Sequence, residues 1–347
     1  MLRVRAFAYD LALRHTFTIS RGSTDVQPTM IVELRDGAGR SGYGEATTND
    51  YYGFTLDSMA ATLAAARSAI ESDPFDTPEA MWDRLRACFA NDAFAQCAVD
   101  QAAWDLWGKQ RGKPLHQLWN LDPDDAPPTD YTIGIDTIER MVAKMDEFPG
   151  WPIYKIKLGT PDDLRIVRAL RERTAATFRV DANCAWTADE TIRNAASMRE
   201  LGVEFIEQPL PADEWDAMRR VFSESVLPIL ADESCIVEPD VDRCAGHFHG
   251  VNIKLVKCGG LTPARRMIDR ARQIGLRVMV GCMTESSVGI SAIGQLAPLL
   301  DYVDMDGALL LAEDIAEGVG IECGRCRFPS TGGSGVRLIR PGRPMSV

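Results

Sequence analysis

Pro152-Ile-Tyr-Lys-Ile-Lys-Leu-Gly159 reads as a short β-strand ended by a glycine. Side chains alternate across a strand, so Lys155 and Lys157 point to one side and Tyr154, Ile156 and Leu158 to the other. The apolar set faces packing helices, which turns both lysines inward. Two inward ammonium groups repel, so at least one is expected to have a depressed pKa. Taken alone the stretch also fits an edge strand with solvated lysines. The surrounding chain decides between the two.

From residue 130 onward, short apolar strands alternate with helical stretches. The strands fall at about 130–134, 152–158, 177–182, 203–207, 228–232, 250–255, 277–281 and 302–306, with helices such as DDLRIVRALRERT and PARRMIDRARQIG between them. Eight strands in βα alternation predict parallel strands closed into a barrel, of the α/β class. An open doubly wound sheet is disfavoured, because no GxGxxG turn follows the first strand. Upstream, residues 2–9, 29–36 and 40–44 form an antiparallel meander with a turn at Asp36-Gly37. HTFTISRGSTD (15–25) and ATTNDYYGF read as two mobile loops of the kind that carry specificity. Leu56 to Lys113 is helical, stopped by Gly112 and Pro114. An Asp- and Pro-rich linker spans 122–129. The expected division is an α+β capping domain over 1–125, a (β/α)7β modified TIM barrel over 126–315, and a segment over 316–347 that returns to the capping domain.

The 347 residues suit a barrel plus a second domain, with 46% apolar and 25% charged residues, as in soluble globular proteins. A net charge of −12 argues against a nucleic-acid surface. No apolar run approaches the ~18 residues of a membrane span, and the charged N-terminus does not read as a signal peptide. Nine scattered cysteines suit reduced thiols, hence a cytoplasmic location. Cys323 and Cys326 form a CGRC pair without a second pair for zinc, and are expected to be incidental. A homo-oligomer is compatible with this composition.

The chemistry gathers at the C-terminal ends of the barrel strands. Strand two ends with Lys155 and Lys157, strand three with Asp181 and Asn183, strand four with Glu207, strand five with Asp232 and Glu233. Strand six carries Lys254, followed by Lys257, and strand eight ends with Asp304 and Asp306. Carboxylates converging from three successive strands repel unless a cation joins them. A hard divalent ion with oxygen ligands, Mg²⁺, meets that need.

KIKLG, VDAN, IEQP, ADES and NIKLVKCGG, in this order, resemble the enolase superfamily in its muconate-lactonizing subgroup, over nearly the whole chain. The resemblance implies the (β/α)7β barrel, Mg²⁺ on Asp181, Glu207 and Asp232, and Lys157 and Lys254 as an acid/base pair on opposite faces of the substrate. Lys155 would help hold the substrate carboxylate, and Asn183 and Glu233 would support the site from behind. Strand alternation puts Asn252 and Lys254 on one face and leaves Lys257 beyond the pocket, as a surface or supporting residue. Two opposed lysines serve 1,1-proton transfer, β-elimination or cycloisomerisation equally well.

The segment DMDGALLLAED narrows the choice. It resembles the aspartate pair of the family's dipeptide epimerases, where Asp304 and Asp306 would bind the substrate's α-ammonium group. Muconate and succinylbenzoate offer no such cation. The mandelate-racemase branch needs a histidine after strand seven, where this chain has VGCMTESSVG. His247 and His249 precede strand six and are expected to be structural. By the same resemblance, Arg21 would meet a glutamate side chain, Thr132, Cys282 and Thr284 would line the pocket, and Tyr51-Tyr52 would close over it. The expectation is a Mg²⁺-dependent isomerase, a dipeptide epimerase acting on L-Ala-D/L-Glu from cell-wall peptide. An o-succinylbenzoate synthase or muconate cycloisomerase is the alternative enzyme, and a non-catalytic binding protein on the same scaffold the other class.

Overall fold

The structure, a computed structural model, describes residues 2–347. The chain opens with three antiparallel strands, β1 (Arg3–Ile19), β2 (Gly22–Arg35) and β3 (Ser41–Thr47). Helices α1 (Leu56–Ser72), α2 (Pro78–Leu85) and α3 (Ala93–Arg111) follow. Local chemistry sets their ends. Thr55 and Ser58 form a capping box at the start of α1, Asp92 caps α3, and Gly112 ends α3 with φ +64°. Gly42 and Gly44 of β3 let α3 lie directly on the sheet. A Cβ on either would come within 2.2 Å or 2.1 Å of a carbonyl of α3.

One expectation changes here. Residues 15–25 are not a loop between strands: β1 and β2 run through them as a long hairpin. Phe17, Thr18 and Ile19 pair with Thr24, Ser23 and Gly22 beyond a bulge after Ala12, so the turn is only Ser20-Arg21. Side-chain hydrogen bonds extend the ladder: Thr16 Oγ1 donates to Asp25 Oδ1 at 2.6 Å, and the Thr18 and Ser23 hydroxyls pair at 2.8 Å.

Among the described residues, eight parallel strands form the second sheet. They are β4 (Tyr131–Ile133), β5 (Ile153–Lys157), β6 (Thr177–Asp181), β7 (Val203–Glu207), β8 (Ile229–Ala231), β9 (Gly250–Lys254), β10 (Arg277–Gly281) and β11 (Tyr302–Asp304). They lie side by side in chain order, and a parallel bridge between Thr129 and Val303 brings the two edges together as a barrel. Phe205, Leu230 and Met279 fill the interior, each fully buried; burial of such a side chain stabilises by roughly 1.5–3 kcal/mol. Arg179 spans the same interior, 2.9 Å from both Asp130 and Glu204. This plug leaves the C-terminal mouth as the place for a site.

Two carboxylates of the first unit cap barrel helices, where the N-terminal dipole favours negative charge. Glu45 of β3 accepts from Ser286 Oγ at 2.6 Å and Gly289 N at 2.9 Å, at the start of the helix Ser287–Leu296. Asp100 of α3 accepts from Thr262 N and Oγ1 at 2.9 and 2.7 Å, at the start of Leu261–Gln273. The tail ends in a strand, Arg343–Pro344, that pairs with β1. Cys323 and Gly324, with φ +46° and +77°, form the turn of a small hairpin. His249 accepts from Ile229 N at 3.1 Å and stacks on Phe222, at the end of the barrel away from the mouth. No helix of the described residues is long and apolar enough to cross a membrane.

Candidate active site

Strand register builds the site. Lys157, Asp181 and Glu207 are Cα partners in one row across β5, β6 and β7. Lys254, Gly281 and Asp304 form the matching row across β9, β10 and β11. Gly281 has to be small, since a Cβ there would sit 2.6 Å from the Asn252 amide. The acids ending β6 and β7, with Asp232 just past β8, therefore stand between Lys157 and Lys254. Both lysines are buried to 8% and 7% exposure.

One oxygen from each of Asp181, Glu207 and Asp232 lies within 4.8 Å of the others, and all three residues are buried. Glu207 Oε2 has no properly oriented hydrogen-bond donor, although Lys155 Nζ is 2.8 Å away, and Glu207 Oε1 accepts from Asn252 at 2.7 Å. A buried set of three hard carboxylates, each able to offer an oxygen within 4.8 Å of the others, fits Mg²⁺. Burial, then the charge of Asp181, pushes Glu207 up to about 7. Burial also opposes ionisation of Asp232, but Lys254 and Lys257 hold it well below the usual range.

The lysines are more strongly paired than their mutual repulsion implies. Lys157 Nζ donates to Asp181 Oδ2 at 2.6 Å and Lys254 Nζ to Asp232 Oδ2 at 2.8 Å. Lys155 Nζ is 2.6 Å from Asp304 Oδ2 and 2.8 Å from Glu207 Oε2. Burial alone would lower Lys155 and Lys254; the surrounding carboxylates, Asp304 first for Lys155 and Asp232 first for Lys254, outweigh it and raise both. For Lys155 the depression expected of an inward lysine is thus reversed, because the carboxylates of Asp304 and Glu207 stand within 2.8 Å of it.

Asp304 and Asp306 converge, though not by simple alternation. β11 ends at Asp304, and Asp306 starts the 3₁₀ turn Gly307–Leu310. Asp306 accepts from Thr132 N at 2.6 Å and Thr132 Oγ1 at 3.2 Å. Cys282 completes a group whose ligand atoms lie within 4.8 Å of one another. Lys155 and Lys157 overcome the effect of burial to hold Asp304 at about 2, whereas burial and Asp304 push Asp306 up to about 7. The pair can therefore carry a single firm negative charge beside a hydrogen-bonded carboxyl. Thr284 is half-buried in the loop after β10, next to the buried Glu285.

The hairpin tip reaches this mouth. Arg21 Nη1 donates to the Asn183 carbonyl at 2.9 Å, and its Nη2 lies 2.7 Å from Glu233 Oε1. The guanidinium sits over the Tyr51 ring at 4.4 Å, and Tyr51 meets Tyr52 edge-on at 4.9 Å. Asn183 adopts φ +44° and Gln208 φ +32°, an uncommon conformation just past the ends of β6 and β7.

The sequence reading left the role of one residue open and missed two others. Lys257, read as a surface or supporting residue, is a supporting one and lies closer in than the reading put it: its side chain is fully buried, with Nζ 2.6 Å from Asp232 Oδ1. A helical turn, Leu255–Cys258, begins immediately after Lys254, so helical spacing replaces alternation and returns Lys257 toward the barrel. Gln208 accepts from the backbone N–H groups of Asp232 and Ser234. Glu285 holds Met283 N at 2.8 Å and has its other oxygen unpartnered. In sequence it is only one more loop acid.

Two families match the chain. Residues 1–119 match "Mandelate racemase / muconate lactonizing enzyme, N-terminal domain", and residues 137–341 match "Enolase C-terminal domain-like". An L-Ala-D/L-amino acid epimerase of Flavobacterium johnsoniae is 57% identical, over 95% of this chain and 98% of the relative. An L-Ala-D/L-Glu epimerase of Bacteroides thetaiotaomicron is 37% identical, over 97% and 88%. The solved dipeptide epimerase of Enterococcus faecalis, complexed with Mg and L-Leu-L-Tyr, has a TM-score of 0.91 and 30% identity, covering 96% of this chain and 98% of that one.

Proposed function

The chain belongs to the enolase superfamily, and from that membership we propose that it is a Mg²⁺-dependent dipeptide epimerase. It would invert the α-carbon of the C-terminal residue of L-Ala-Xaa dipeptides, L-Ala-D/L-Glu among them. The observation that carries this reading is the placement of Lys157 and Lys254 on either side of the three-carboxylate set, with Asp304 and Asp306 at the same mouth. The names of the 57% and 37% identical relatives point the same way.

Asp181, Glu207 and Asp232 would hold the ion, which when bound supplies positive charge to the substrate carboxylate as negative charge builds there. Lys155 adds a fixed positive charge beside that carboxylate. One lysine takes the α-proton from its face, and the other returns a proton from the opposite face, inverting the centre. Asp304, with Asp306 steadied by Thr132, receives the substrate ammonium. That cation is absent from muconate and succinylbenzoate, which is why epimerisation fits better than elimination or cycloisomerisation. The test is a dipeptide panel incubated in D₂O with Mg²⁺, read by mass spectrometry for α-deuterium uptake. Uptake that is lost in EDTA is expected. A panel without uptake, or uptake indifferent to EDTA, would overturn the reading.

A further inference from the structure

The tip of the β1–β2 hairpin is a fixed part of the barrel mouth. Ser20 Oγ and Arg21 Nη1 both donate to the Asn183 carbonyl, at 3.0 and 2.9 Å, and Ile135 N donates to Thr18 O at 2.8 Å. Gly159, just past β5, makes room for this contact, since a Cβ there would lie 2.8 Å from Ser20 Cβ. Arg21 is thereby held against Asn183, two residues beyond Asp181; on the epimerase reading, the side chain of the epimerised residue would project toward it.

Its charge is already taken. Arg21 Nη2 is 2.7 Å from Glu233 Oε1, and the Glu233 side chain is 1% exposed. A carbonyl occupies Nη1 and the Tyr51 ring covers the guanidinium at 4.4 Å. Diverting Arg21 to a substrate carboxylate would leave Glu233 as an uncompensated buried charge or oblige it to take up a proton, and either cost opposes the exchange. Glu233 Oε2 is already buried without a donor, so no other group stands ready to replace the arginine. A carboxylate that approaches the intact pair meets attraction from Arg21 and repulsion from Glu233, which nearly cancel.

We infer that Glu233 is a specificity-determining residue: by holding Arg21 in a neutral pair, it leaves the side-chain pocket without selection for an acidic side chain, so that L-Ala dipeptides with uncharged C-terminal residues are accepted at least as well. The inference rests on the epimerase reading above. It treats L-Ala-L-Glu as an accepted but unselected substrate. Removing the Glu233 charge would release Arg21 as a reader of acidic side chains.

The matched pair L-Ala-L-Glu and L-Ala-L-Gln tests this, because the two side chains differ in charge with nearly the same shape. For the wild-type holoenzyme with Mg²⁺, kcat/KM for L-Ala-L-Glu is expected to equal or fall below that for L-Ala-L-Gln. In Glu233→Gln the Glu/Gln ratio should rise tenfold or more, and in the double variant Glu233→Gln, Arg21→Met it should fall back. A tenfold wild-type preference for L-Ala-L-Glu overturns the inference and needs no variant to fold. A folded Glu233→Gln enzyme with an unchanged ratio overturns it as well. Absence of turnover on every dipeptide overturns the epimerase reading itself, and is thereby distinguishable from a failed charge preference.

Discussion

Lys257 grips Asp232 from behind the site: its buried Nζ lies 2.6 Å from Asp232 Oδ1 and 2.5 Å from the Asp232 carbonyl. It also reaches the Cys235 carbonyl at 2.9 Å. Lys254 takes the other carboxylate oxygen, Oδ2, at 2.8 Å. Two lysines thus fix both the rotamer and the ionised state of one proposed Mg²⁺ ligand.

Lys257→Met is accordingly expected to destabilise the fold by about 3–5 kcal/mol, the usual result of stranding one member of a buried ion pair. It should also weaken Mg²⁺ binding by about tenfold or more, because the ligand loses its orienting partner. Denaturant unfolding and calorimetric Mg²⁺ titration measure the two effects separately. A folded variant with wild-type Mg²⁺ affinity would show that Asp232 is oriented by other groups.

Lys157 and Lys254 approach from opposite sides of the carboxylate set, so each should serve one face of the substrate. By family resemblance Lys157 meets the D-configured centre and Lys254 the L-configured one. Lys157→Ala should abolish epimerisation, yet still exchange the α-proton of L-Ala-L-Glu in D₂O without inverting it. Lys254→Ala should exchange only L-Ala-D-Glu. Chiral analysis with mass spectrometry reads both. Exchange of the same enantiomer by both variants would refute the facial assignment, and near-wild-type epimerisation by either would refute the two-base mechanism.

Asp304 and Asp306 are proposed to read the ammonium group. Changing both to Asn should raise KM for dipeptides by about one to two orders of magnitude, the range set by losing roughly 1.5–3 kcal/mol in a charge-assisted hydrogen bond. N-acetylated dipeptides, which lack the ammonium, should lose much less. Equal losses for the two substrate types would mean that the pair acts through Lys155, its 2.6 Å partner, and not on the amino terminus.

Glu285 is expected to link stability to pH. Burial, then the charge of Glu45, pushes its carboxyl up to about 8. A carboxyl whose pKa is raised on folding binds more protons folded than unfolded, so its contribution to stability is full below the unfolded value near 4.3 and is lost as pH rises toward the folded one. Glu285→Gln removes this linkage. The wild-type melting temperature should therefore fall relative to that of Glu285→Gln between about pH 5 and 8. A difference in melting temperature that is constant across this range would show that Glu285 is ionised throughout.

Much of the architecture was legible in the chain because strand alternation and βα spacing are local properties. PIYKIKLG turns Lys155 and Lys157 inward by period two alone, and the acids of VDAN, IEQP and ADES stand where parallel strands end. The same local rule failed where the local structure changed. Alternation carried past Lys254 put Lys257 beyond the pocket and left its role open between surface and support, because a helical turn starts there. Residues 15–25 read as a loop because Thr, Ser, Arg and Gly signal turns, while the side-chain hydrogen bonds that extend the ladder form only once two strands face each other.

By itself the sequence determined which strand ends carry the lysines and acids of the barrel mouth and in what order, since each of these positions follows from the few residues around it. Charge pairing was decided only by the tertiary structure. Closure of the barrel sets Lys155 against Asp304, and docking of the hairpin sets Arg21 against Glu233. These partners are far apart in the chain, and Coulomb energy depends on their distance in space and on the loss of intervening water. Lys155 and Lys254 are for that reason raised and not depressed, and Arg21, a free cation when read along the chain, enters the folded site already neutralised.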